Sequence, residues 1–128
     1  MRVVIETIPH KDQRYETCGD WFWTHGALRI LVSETGNEDY NFLVAIHEMI
    51  EAYLCATSGI SEESVTQFDM EFERQRKEGD VNEPGDSKEA PYHAQHRIAS
   101  EVERYTAALM RIDWKDYEDT INRLGEGC

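Results

Sequence analysis

The sequence is short of basic residues and has no long apolar run. Lysine and arginine together number 13 against 26 aspartates and glutamates, which leaves a formal charge of −13. A surface of that sign repels a phosphate backbone, because the coulombic attraction that dominates nonspecific nucleic-acid binding has the wrong direction. Nucleic acid is therefore excluded as an expected partner. The cysteines are Cys18, Cys55 and Cys128, an odd number without CxxC spacing, and Cys55 sits inside an apolar segment. Neither a disulfide framework nor a thiolate zinc site is indicated, and a reducing compartment fits best. The opening stretch MRVVIETIPHKDQRYE has no apolar core of the kind a secretory signal needs, and nowhere do roughly eighteen apolar residues run together. The expectation is a cytoplasmic chain with no membrane partner. No internal repeat or low-complexity tract is present. What remains is the composition of a folded protein, 40% hydrophobic and 10% aromatic over 128 residues, enough for one domain spanning 1–128.

The order of the elements gives the class. RVVIETI, from Arg2 to Ile8, is β-branched and extended in pattern. ALRILVSE, from Ala27 to Glu34, alternates Leu28, Ile30 and Val32 against Arg29, Leu31 and Ser33. Between them GDWFWTHG reads as a third strand with Trp21 and Trp23 on one face and Phe22 on the other. A sheet over 1–36 is thus followed by a helix over 38–58. A second helix over 64–75 has capping-box spacing at Ser64 and Gln67. Residues 77–91, with glycines and two prolines, form a loop or lid, and C-terminal helices occupy 92–124. Strands first and helices afterwards is the α+β signature: a small antiparallel or mixed sheet of about three strands packed with three to four helices. On the long C-terminal helix the periodicity picks out Ile98, Val102, Tyr105, Leu109 and Ile112 as the buried stripe.

The chemistry concentrates in FLVAIHEMIEAYLCA, Phe42 to Ala56, where His47, Glu48 and Glu51 interrupt an otherwise apolar segment. At about 100° per residue, Glu51 leaves the helix roughly 40° from His47 and Glu48 roughly 100° from it, so all three share one sector. Two carboxylates stripped of water without compensation would each cost several kcal/mol, roughly, or take up protons. A divalent cation removes that difficulty, since His and Glu one turn apart can both reach it. Glu48, offset to the side, is placed to accept a proton from water activated by the ion.

HEMIE, His47 to Glu51, resembles the active-site helix of the zincin metallopeptidases, with Glu51 in place of the second histidine of HExxH. The order of elements is also similar to that of small phage and prophage proteins. The zincin resemblance covers roughly residues 20–70 and implies a minimal zincin-like fold, with an edge strand beside the cleft. It also implies a metal held by His47 and Glu51, and a peptide or amide substrate attacked with Glu48 as the catalytic residue. Carboxylate in place of imidazole makes the site harder, so manganese or iron stands beside zinc as the cofactor.

A third ligand must come from elsewhere. Asp69 is the first candidate, because it falls within the buried stripe of Val65, Phe68 and Phe72. His96 is the second and His93 a weaker third, although with Ile98 as reference His96 points about 160° away from the apolar stripe. His10 and His25 are expected at the surface. Three functions follow as expectations: a metal-dependent hydrolase; a non-enzymatic, acidic, phage-type interaction protein with a protein partner, in which the His/Glu cluster is structural; and a magnesium-dependent nucleotide pyrophosphatase built on Glu48 and Glu51. The last needs an ExxD on a later helix, and the only one is Glu83-Pro-Gly-Asp86, where the proline disfavours a helix.

Overall fold

The computed structural model describes residues 1–126. Three strands, β1 (Arg2–Ile8), β2 (Gly19–Thr24) and β3 (Ala27–Ser33), form a mixed sheet in the order β1-β3-β2, with β1 parallel and β2 antiparallel to β3. The β2–β3 hairpin turns on His25 and Gly26, both at positive φ, which is the backbone twist that a two-residue hairpin favours. Leu28, Ile30 and Val32 project from β3 into the core and meet Leu43, Val44, Ala52 and Cys55 of the first helix. The opposite face is partly covered by the segment after β1. There the Gln13 amide donates to the Leu31 carbonyl, and the Arg14 guanidinium grips buried Asp20 at 2.6 and 2.9 Å.

Four helices follow, α1 (Glu38–Thr57), α2 (Glu62–Arg74), α3 (His93–Leu109) and α4 (Trp114–Glu126). The α+β class and the number of strands and helices match the sequence expectation. Asn37 caps α1 by accepting from the Asp39 and Tyr40 amides. The helix closes with Gly59 at positive φ, while the Ile60 amide bonds back to the Cys55 carbonyl. α2 begins earlier than its expected Ser64 start. Ser61 accepts from the Ser64 amide, so the cap lies one turn upstream and Ser64 is already inside the helix.

The larger correction concerns α3. Three of its five expected stripe residues face outward, Ile98, Tyr105 and Leu109 being 50%, 76% and 87% exposed, whereas Val102 is half-buried and Ile112, past the end of the helix, packs against the core as expected. The covered face instead carries His96, Ala99 and Ala107, continuing from buried Tyr92 at the N-cap. α3 packs chiefly on α1, and small side chains at Ala99 and Ala107 let the two helices approach closely enough for polar groups to meet between them. Cys128 lies outside the described residues. Among the described residues, Cys18 and Cys55 are free thiols, and no helix is long and apolar enough to cross a membrane.

Candidate metal centre

One turn of α1 presents His47 and Glu51 toward α3, which returns His96. His47 Nε2 lies 3.1 Å and His96 Nδ1 2.9 Å from the same oxygen, Glu51 Oε2. The other oxygen, Oε1, accepts from the Trp21 indole N–H at 3.0 Å. All three side chains are buried, and one ligand atom from each lies within 4.8 Å of the others. This is a group that could hold a metal ion: two imidazoles and a carboxylate, a donor set suited to zinc or to a first-row neighbour.

The far nitrogen of each imidazole is also engaged. His47 Nδ1 meets Glu103 Oε1 at 2.8 Å, and the other Glu103 oxygen accepts from the Tyr117 hydroxyl at 2.5 Å. His96 Nε2 meets Glu83 at 3.0 Å and Asp86 at 3.1 Å. Glu83 caps and Asp86 ends a 3₁₀ turn, Pro84–Asp86, whose Gly85 lies flat against the His96 ring; a Cβ there would come within 2.3 Å of Cγ. Carboxylates behind ligand imidazoles fix ring orientation and raise basicity, as is usual around metal sites. Glu83, Asp86 and His96 form a second group of potential ligands that shares His96, with both acids exposed.

Electrostatics follow from this packing. Burial would lower the basicity of His96, but Asp86, Glu51 and Glu83 outweigh it and raise its pKa to about 12. Burial likewise opposes the charge on His47, and bonds to Glu103 and Glu51 hold its pKa well above the usual imidazole value. Glu51 is pushed upward by burial, yet its bonds from His47 and His96 bring it down to about 2.

Glu48 differs from its neighbour. No hydrogen bond or ion pair engages its carboxylate among the described residues. Burial first, and Glu51 second, hold its pKa well above the ordinary range, against the pull of His47. Its side chain rests against β2, where Gly19 makes room: a Cβ at Gly19 would fall 2.6 Å from Glu48 Oε1. Asp69 is buried as expected, but it is in neither group of potential ligands. Its two oxygens accept from the hydroxyls of Tyr15, at 2.9 Å, and Tyr92. Burial, despite those two bonds, raises its pKa to about 7.

These groups line a cleft of about 560 Å³ between β2, α1, α2 and the loop that follows α2. The loop's second half is not a free flap, because Glu83 and Asp86 tie it to His96 while His93 Nδ1 bonds the Gly85 carbonyl at 2.9 Å. Its first half is held by Arg76, which donates to the carbonyls of Asp80 and Asn82. His10 is also less exposed than expected, its ring bonded to Ser33 and Glu16.

The structure brings together His47, Glu51 and His96, sets Glu48 beside them, and assigns Asp69 to a separate tyrosine-bonded position. Sequence reasoning missed Glu103, Tyr117, Glu83, Asp86 and the role of Trp21. For Glu103 a signal existed, since it follows His96 by seven residues and so shares its helix face. No protein-family model matches the chain, and neither does any curated protein or solved structure.

Proposed function

We propose that this protein is a metal-dependent hydrolase of peptide or amide bonds, with His47, Glu51 and His96 as ligands and Glu48 as the catalytic base. The supporting observation is the convergence of two carboxylate-backed imidazoles on one oxygen of Glu51, next to a carboxylate with no partner. A divalent ion there, zinc first and manganese or iron as alternatives, would supply a Lewis acid that polarises the scissile carbonyl and lowers the pKa of water. Glu48 would accept a proton from the attacking water and then deliver it to the departing amine. Hydroxide ends on the acyl carbon and the proton on the nitrogen as the C–N bond breaks. Trp21 and the carboxylates behind the imidazoles keep the ligand atoms in place.

Elemental analysis of protein purified with zinc, manganese and iron supplied tests the reading. About one ion per chain is expected, lost in His47→Ala and His96→Ala. Glu48→Gln should retain the ion while hydrolysis of peptide amides falls by roughly two orders of magnitude or more. A wild-type chain that stays free of metal under those conditions would end the proposal.

A second reading has its own supporting observation. Every imidazole nitrogen in the cluster already faces a carboxylate, so the network is satisfied as a set of ion pairs without any metal ion. The protein would then be an acidic interaction module with a structural core of buried charges. Metal content separates the two.

A further inference from the structure

The free edge of β2 has less backbone to offer than its length suggests. The Ser33 amide bonds the Cys18 carbonyl, and the register pairs Asp20 with Leu31 and Phe22 with Arg29. Alternation then turns the backbone groups of Gly19, Trp21 and Trp23 away from β3, at rungs ~6.8 Å apart. Two of these three rungs are already engaged by the protein's own side chains, Gly19 at both of its groups and Trp23 at its amide. The Thr17 hydroxyl donates to the Gly19 carbonyl at 2.6 Å and accepts from the Gly19 amide at 3.3 Å. The Glu62 carboxylate, from the first turn of α2, accepts from the Trp23 amide at 2.7 Å. Among the described residues, Trp21 alone of the three keeps both its amide and its carbonyl open, on the strand segment that lines the cleft and whose indole touches Glu51.

We infer that the cleft binds short peptide amides, of about two to three residues, through the single open rung at Trp21, and that it does not add an extended polypeptide as a fourth strand. Pairing a longer strand would require breaking the Thr17 or Glu62 bonds and burying the displaced carboxylate, which cancels the gain from each added rung. A cleft of about 560 Å³ matches a ligand of that size. The kinetic consequence rests on the hydrolase reading; the binding consequence does not.

The experiment uses the full chain loaded with zinc and a series of acetylated, amidated alanine peptides from two to eight residues. Amide chemical shifts and hydrogen exchange report binding, and kcat/KM reports turnover. Expected are shifts at the Trp21 amide that do not spread to Gly19 or Trp23, and affinity and kcat/KM that vary by less than about threefold beyond the tripeptide. Glu62→Ala and Thr17→Val each open one rung, so longer peptides should gain about threefold to tenfold over the wild type while the dipeptide does not. In the free protein the Trp21 amide should exchange faster than that of Trp23, and Glu62→Ala should remove the difference. Affinity rising more than tenfold with length in the wild type, or no response at Trp21 to any peptide, would overturn the inference. Binding at Trp21 without hydrolysis of any peptide would sustain the inference and remove the hydrolase.

Discussion

α1 and α3 lie side by side and distribute their apolar residues in opposite ways. On α1 the apolar residues surround the polar groups, so Leu43, Val44, Ala52 and Cys55 pack on the sheet while His47 and Glu51 point into a sheltered gap. On α3 the large apolar residues Ile98, Tyr105 and Leu109 face solvent, and the inner face is given to His96, Ala99, Glu103 and Ala107. Hydrophobic periodicity reports which side of a helix is apolar, which coincides with the buried side only when the interior is apolar too. Between these helices it is not. A layer of ion-paired carboxylates and imidazoles occupies the space where a bundle would ordinarily place leucines.

That contrast can be broken at three places. The largest effect is expected just outside that layer, at Asp69 of α2. Its pKa is raised from 3.8 to about 7, so the native state keeps a proton that the unfolded chain loses, and stability falls as pH rises from about 4 to about 7. The loss attributable to this group is at most about 4 kcal/mol. Asp69→Asn should remove that decline, so urea midpoints of variant and wild type should diverge progressively over this range, the variant being the more stable at pH 8; parallel curves would show that Asp69 does not titrate there. Next comes the tight inner face. Ala99 has no exposed surface, and Ala99→Leu should force α3 off α1 at a cost of about 2–3 kcal/mol, with metal lost alongside. The smallest effect belongs to the outer face: Leu109→Ser should change stability by less than about 0.5 kcal/mol in the same denaturation assay. A larger loss would mean that the outer stripe is covered in solution.

The sheet and α1 were legible because there local pattern and tertiary burial agree. β3 alternates as a half-buried strand does, and α1 has its Asn cap, its acidic first turn and its terminal glycine in sequence order. His47, Glu48 and Glu51 could be placed in one sector from helical geometry alone. His96 is legible as a candidate ligand, but with Ile98 taken to mark the buried face it points outward, and Ile98 is itself half exposed. Referred instead to Tyr92, Ala99 and Glu103, the same arithmetic puts His96 on the inner face. Asp69 was legible as buried but not as tyrosine-bonded, since Tyr15 reaches it from a loop with no periodicity. In sequence the stretch around Pro84–Asp86 reads as exposed linker; Glu83 and Asp86 find His96 only through the fold.

The double engagement of both imidazoles has a consequence for how the centre is filled. With oxygen acceptors at each ring nitrogen, His47 and His96 are most stable as cations when no ion is bound. On the proposed reading, a dication entering this group would have to evict hydrogen ions from the rings, which would make loading an exchange and not a simple addition. Occupancy would then be set by the ratio of metal to acidity in the surroundings, with mild acidification favouring discharge.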